Sequence, residues 1–301
     1  MREIVVISGK GGTGKTSVTA SFATLAAGTA VLADCDVDAA DLYLILKPDV
    51  KRRADFASGH KAQIRQADCI KCGACLAWCR FGAVTHDHRG AGESTFTIDP
   101  TSCEGCGVCV RACPVQAIDF PEQVCGEWFI SETRYGPLVH AQLHVAAENS
   151  GKLVTLVRTE ARKTGEEKGL PYLVVDGAPG IGCPVIASLT AASVALIVTE
   201  PTVSGEHDLR RIVELTRRLR TPAMVCINKW DINPSVSDAI RGLATSEGLP
   251  MAGTIAYDPA VTAAQRAEKT VVEYGESAAA RDISAVWAQV KAFADAARAV
   301  V

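Results

Sequence analysis

Apolar positions along the chain follow a strand rhythm that is interrupted once and then resumes. Residues 3–9, EIVVISG, form an almost unbroken apolar run, the pattern of a strand buried on both faces of a parallel sheet. GKTSVTASFATLAAG then reads as a helix closed by Gly28, and AVLADCDVD returns to an apolar run ending in carboxylates. Strand, helix, strand predicts an α/β fold with a parallel sheet. After about Lys51 the rhythm breaks. Up to about Glu132 the chain is short segments, glycines, cysteines and turns with little helical periodicity. Beyond that, GKLVTLVR, LPYLVVDGAPG, ASVALIVTEP and PAMVCINKWD predict four more strands, with GEHDLRRIVELTRRLR as a helix between the last two.

The predicted architecture is therefore a mostly parallel α/β domain interrupted by an inserted α+β module. Its parts are 1–57, the insert 58–135, and 136–301. Near the C-terminus, Ile283, Val286, Trp287, Val290 and Phe293 recur at helical spacing. The polar face there mixes Arg281, Lys291 and Arg298 with Asp282 and Asp295. It lacks the basic character of a membrane-surface helix, so it predicts core packing.

Composition narrows the classes. The 301 residues are 48% hydrophobic and 22% charged, as in a globular protein, and the formal charge of −3 gives no electrostatic reason to expect nucleic acid as a partner. No apolar run approaches the roughly 18–20 residues that cross a bilayer, so no membrane partner is expected. The first residues pass from strand straight into glycines without the features of a signal peptide, which predicts a cytoplasmic protein with reduced thiols. Twelve cysteines then need a use other than disulfides, and eight of them fall between Cys69 and Cys113. That clustering points to metal or cluster ligation.

GKGGTGKT, from Gly9 to Thr16, matches the phosphate-loop pattern between a strand and a helix. Gly9, Gly11, Gly12, Thr13, Gly14 and Ser17 would cradle phosphate with backbone groups. Lys15 would reach the terminal phosphates and Thr16 would ligate Mg²⁺. The second lysine, Lys10, makes this loop resemble the deviant Walker A motif of the MinD/Mrp/ParA superfamily (SIMIBI-type NTPases), to which the nitrogenase iron protein also belongs. The resemblance implies a nucleotide-sandwiched homodimer in which Lys10 reaches the partner's nucleotide. It extends to DCDVDA, where Asp36 would position the attacking water with Asp34 beside it, while Asp38 and Asp41 read as solvated loop carboxylates. It extends also to DGAPGIGCPV, where Asp176 would hold Mg²⁺ and Gly180 would offer its amide to the γ-phosphate. CINKWDIN carries the N-K-x-D order of GTPases. By the resemblance, Asn228 contacts adenine and ATP is preferred. Asp258, in AYDPAVTAA, is either a further base-side residue or a helix cap.

Within the insert, Cys69–Val84 and Cys103–Ile118 repeat the spacing C-x2-C-x2-C-x3-C. The second run continues into Pro114 and matches the bacterial ferredoxin run, whose fourth cysteine ligates the other cluster. Carried over, one [4Fe–4S] cluster takes Cys69, Cys72, Cys75 and Cys113, and a second takes Cys103, Cys106, Cys109 and Cys79. Arg80 stands where the first run should have proline. Zinc is the alternative metal. Cys35, Cys226 and Cys125 read as buried small hydrophobes. Cys183 reads either as structural or, by resemblance to the iron protein, as a ligand at a dimer interface. His140, His144 and Glu148 fall at i, i+4 and i+8, the spacing of an amphipathic helical connector or a metal site on one helix face. His86 and His88 read as loop residues.

The whole chain thus resembles MinD-superfamily ATPases that carry an inserted 2[4Fe–4S] ferredoxin-like domain. The implied activity is Mg²⁺-dependent ATP hydrolysis coupled to assembly or transfer of an iron–sulfur or mixed-metal cofactor. The implied partner is a metal-cofactor acceptor or small cofactor-binding protein. An ATP-gated electron donor with its own electron-transfer partner is the second function class, and a MinD-type positioning ATPase the third.

Overall fold

A computed structural model describes residues 1–89, 93–144 and 150–296. The chain divides into two units, Met1–Ala54 with Glu127–Val301, and Asp55–Gly126. In chain order, β1 (Arg2–Ser8), α1 (Lys15–Leu25), β2 (Ala30–Asp34) and α2 (Leu42–Leu46) open the larger unit, and β3 (Asp49–His60) leads out of it. The smaller unit holds β4 (Gln63–Ile64), α3 (Ala74–Trp78), β5 (Val84–Arg89), β6 (Glu93–Ile98), α4 (Val108–Ala112) and β7 (Ile118–Asp119). The chain returns through β8 (Glu122–Thr133) to β9 (Gly136–Leu143), α5 (Ser150–Glu167), β10 (Tyr172–Pro179), α6 (Cys183–Leu189) and β11 (Val194–Thr199). It ends with α7 (Val203–Arg218), β12 (Ala223–Asn228), α8 (Pro234–Ser246), β13 (Met251–Ile255), α9 (Pro259–Arg266), α10 (Val271–Tyr274) and α11 (Ala278–Ala296). Residues 127–135, expected in the insert, lie in the larger unit.

Strand order in the main sheet is β13-β12-β11-β1-β10-β2-β9-β8-β3. β1 lies between β10 and β11, parallel to both, with Val5 opposite Val175 and Ala195. Strands β1, β2 and β10 therefore end together at one sheet edge, where α/β folds place their ligands. Ile4 and Val6 join a core with α1 and α11, in which the Phe22 and Trp287 rings lie 4.9 Å apart. Alternation sends the equally buried Val5 and Ile7 to the other side of the sheet. Ile283, Val286, Trp287 and Val290 of α11 are all buried, as their spacing predicted.

Expectations fail at two further stretches. GKLVTLVR is not a strand but the first turns of α5. Its buried positions continue as Leu153, Val154, Val157, Ala161 and Thr164, a helical spacing that eight residues are too short to reveal. Residues 140–144 are not helical either: His140 lies in β9, His144 is exposed beyond its end, and Glu148 lies outside the described residues. A strand puts i and i+4 on one face as a helix does, so the histidine spacing could not choose between them.

The smaller unit is built on a repeat. Gly73 and Gly107, with φ of 72° and 70°, precede α3 and α4, and Cys79 and Cys113 follow them with the same φ of −76° and ψ of 112°. β4 pairs antiparallel with β7, and β5 with β6. His86 stacks on Phe96 within that hairpin, 4.2 Å between centroids, so it is not a free loop residue. The core here is small: Ala62, Cys75, Ala83, Val84, Phe96, Cys103 and Ile118.

Candidate functional site

At the edge where β1, β2 and β10 end, the loop from Gly9 to Gly14 turns the chain into α1. Gly14 has φ of 89°, and a Cβ there would stand 2.3 Å from Asn228 Nδ2, so both backbone and space require glycine. The Ser8 hydroxyl donates to Lys10 O at 2.9 Å, and Gly180 N donates to Ser8 O at 2.8 Å, which ties the β10 end to the loop.

Lys15 is buried at the centre. Its Nζ donates to Asp176 Oδ1 at 2.8 Å and stands 3.3 Å from Asp36 Oδ2. Burial opposes its charge, but Asp176 and Asp36 outweigh burial and hold its pKa above the usual value. Thr19, one turn along α1, donates its hydroxyl to the same Asp176 oxygen at 2.9 Å. Asp34 is fully buried and accepts from Asp36 N and Leu42 N, which fixes the start of the following loop. Burial raises the pKa of both Asp34 and Asp36. Two carboxylates thus meet one ammonium, with Asp34 buried nearby, and Asp176 Oδ2 and Thr13 Oγ1 are buried without a hydrogen-bond partner. An excess of negative charge beside an orphaned carboxylate oxygen fits a divalent cation. Asp38 and Asp41 are exposed.

Lys10 is engaged within its own chain. Its Nζ stands 2.7 Å from Glu200 Oε1 and donates to Ser204 Oγ at 2.9 Å and Thr202 Oγ1 at 3.2 Å. Lys229 takes the other Glu200 oxygen at 3.3 Å and also reaches Gly12 O. Burial alone would raise the Glu200 pKa, and the two lysines reverse that and lower it. The sequence reading assigned no role to Thr19, Glu200, Thr202 or Ser204. Thr19 was legible, since i and i+4 share a helix face with Lys15. The Glu200 contact joins residues 190 positions apart and had no local signal.

Beside the loop lies a pocket of about 200 Å³ lined by Gly12, Val18, Asn228, Tyr257 and Asp258 among others. Asn228 Nδ2 donates to Thr13 O at 2.7 Å, and its oxygen accepts from Lys229 N. Asp258 is the N-cap of α9, with its oxygens accepting from Ala260 N and Ala279 N. The pocket has the position of a base site next to a phosphate loop.

The family profile described as the CobQ/CobB/MinD/ParA nucleotide binding domain matches residues 4–271. The chain belongs to this family. A fold neighbour of this CobQ/CobB/MinD/ParA domain is the septum site-determining protein MinD of Pyrococcus horikoshii, solved with Mg-ADP. It has a TM-score of 0.58 and 15% identity, covering 99% of each chain. An uncharacterized protein of Methanocaldococcus jannaschii is 34% identical over 234 residues, 77% of this chain and 79% of its own. A stretch of 50 residues, 17% of this chain, is 42% identical to the pyruvate synthase subunit PorD of the same organism, over 54% of that subunit.

In the smaller unit of this family member the eight cysteines sort into two cavities. One is lined by Cys69, Cys72, Cys75 and Cys113 with Ile64, Phe96 and Ile118. The other is lined by Cys79, Cys103, Cys106 and Cys109 with Trp78, Phe81 and Ile98. Each therefore gathers three cysteines of one run and the last of the other. Burial raises Cys75 and Cys109, and their neighbouring cysteines add to it. The Cys113 sulfur accepts from Ala117 N at 3.3 Å. Among the described residues no group of three or more His, Cys, Asp or Glu is placed to hold a metal ion. The cysteines line cavities instead, with largely apolar walls. Arg80 is exposed. Cys35, Cys125 and Cys226 are buried, with the Cys125 thiol donating to Ser58 O, and Cys183 is exposed at the start of α6.

Proposed function

We propose that this chain is an Mg²⁺-dependent ATPase that governs two [4Fe–4S] clusters in assembling or transferring an iron–sulfur or mixed-metal cofactor. The observation that carries the reading is the crossed partition of eight cysteines into two cavities of four. That crossing is what tandem ferredoxin runs require, because three closely spaced thiolates leave a cubane's fourth iron to be ligated from elsewhere.

Thr16 and Asp176 would hold Mg²⁺, which supplies charge neutralisation at the terminal phosphates. Lys15 binds the same phosphates, the glycine amides orient them, and Asp36 directs the attacking water. Lys10, released from Glu200, would serve a second copy of the chain in a homodimer. Gly180, bonded to the loop through Ser8, would pass the loss of the γ-phosphate into α6. In the smaller unit the cysteines named above hold the clusters, which supply electron storage or serve as cargo. The partner on this reading is a metal-cofactor acceptor.

The match to a pyruvate synthase subunit favours a second reading, an ATP-gated electron donor. Anaerobic purification with iron and sulfide analysis tests the shared premise. About eight of each per chain are expected for two cubanes, and colourless, zinc-loaded protein would overturn it. Iron lost to an apo-acceptor during ATP turnover supports transfer. Clusters that stay bound and pass electrons only with ATP support the donor.

A further inference from the structure

We propose that the face of the smaller unit carrying Trp78, Arg80 and Phe81 docks an acidic electron-carrier protein against the cavity of Cys79, Cys103, Cys106 and Cys109. The inference rests on the reading in which the cysteines hold redox clusters. It deepens that reading by naming the partner's surface chemistry and the cavity it reaches. Trp78 is 63% exposed and Phe81 51%, yet both line that cavity. A protein that covered them would lie against the cavity wall.

The internal repeat isolates what is special about this face. The two runs share their cysteine spacing and the backbone angles at Cys79 and Cys113. Each cavity has one buried, one exposed and two half-buried cysteines. The cysteines therefore do not distinguish the cavities, but the rims do. Where the first run has Trp78, Arg80 and Phe81, the second has Ala112, Pro114 and Val115. The second run positions its last cysteine without an aromatic or a charge, so holding the cysteines does not require them. The other cavity's exposed apolar residues are the aliphatic Ile70 and Val115. Tryptophan and arginine are the side chains that carry most binding energy at protein interfaces, and valine is under-represented there.

Charge selects the sign of the partner. Arg80 is exposed and makes no ion pair among the described residues, so its guanidinium is open to a carboxylate. Glu104 stands where the first run has Ile70, is exposed and lines the same cavity. It repels the carboxylate that Arg80 attracts, and opposite signs on one rim fix the orientation of an acidic surface. The aromatic pair supplies the centre from which water is excluded. A carrier with carboxylates around an apolar approach to its redox group matches both features.

The test is equilibrium binding of dye-labelled flavodoxin, an acidic one-electron carrier, to the anaerobically prepared full chain with Mg²⁺ and ATP. Iron and sulfide are measured on each sample. Trp78→Ala and Arg80→Pro, which install the second run's own residues, are each expected to weaken binding about tenfold at unchanged iron content. Val115→Ala, on the other rim, is expected to leave it unchanged, and Glu104→Gln to tighten it severalfold. Arg80→Glu is expected to shift preference toward cytochrome c, a basic carrier. Equal binding by wild type and both variants, or no binding by wild type that holds its iron, would overturn the inference and leave the clusters standing. Loss of iron in both variants would overturn it too, by giving these residues to the cavity instead of a partner. Self-association of wild type that Trp78→Ala abolishes would give the face to a second copy and overturn it likewise. Wild type without iron or sulfide would overturn the underlying reading.

Discussion

A single buried histidine shows how far residue-level chemistry reaches. His140 is 8% exposed, its Nε2 lies 2.9 Å from Ser131 Oγ, and its ring stacks on Phe129. Burial pushes its pKa from 6.5 down to about 4. The native state therefore binds fewer protons than the unfolded chain between those values. The stability His140 contributes is present above pH 6.5 and lost as pH falls toward 4, at up to about 1.4 kcal/mol per pH unit. His140→Gln removes the titration and keeps a hydrogen-bonding group. Its urea midpoint is expected to vary less across that range than that of wild type, and parallel profiles would refute the assignment. The sequence named this histidine but could not bury it, because the i, i+4 spacing to His144 fits a strand and a helix alike. Lys15 and Asp176 were legible as chemistry, since a phosphate loop and an apolar strand ending in aspartate announce themselves. Their direct bond, spanning 161 positions, was not.

At the level of elements, long periodic segments were readable and short ones were not. The α11 helix spaced its apolar residues over about three turns, and all but the partly buried Phe293 enter the core fully. Trp287 packs on Phe22 of α1, the helix whose first residue is Lys15. Trp287→Ala is expected to cost about 3–5 kcal/mol, seen as a lower urea midpoint with an unchanged slope. A shift of less than about 1 kcal/mol would mean that α11 is peripheral. The eight residues that begin α5 carried too few turns to separate helix from strand. Their burial was settled by what α5 packs against.

Across the molecule, the two units differ in what can hold them together. The larger has a nine-stranded sheet and an extensive aliphatic core. The smaller has a core in which alanines and cysteines outnumber large side chains, and an apolar core of that size rarely sustains a fold without added staples. On the proposed function, in which the cysteines hold clusters, stripping iron with a chelator is expected to expose sites in residues 55–126 to limited proteolysis while the larger unit resists. Equal resistance with and without iron would show that the cysteines are not the staple. An exposed Trp78 at the cavity wall gives the same experiment a fluorescence signal.

By itself the sequence determined the chemistry on offer: a phosphate loop between strand and helix, carboxylates at strand ends, and two cysteine runs of one spacing. Such features are local, and a few residues of fixed spacing specify them. Only the tertiary structure decided which of them meet. It placed β1 between β10 and β11, gave Lys10 to Glu200 and Asp231 to Tyr257, and crossed the two cysteine runs into shared cavities. Those pairings join residues tens to hundreds of positions apart, and burial and charge compensation select them only once the chain has closed on itself.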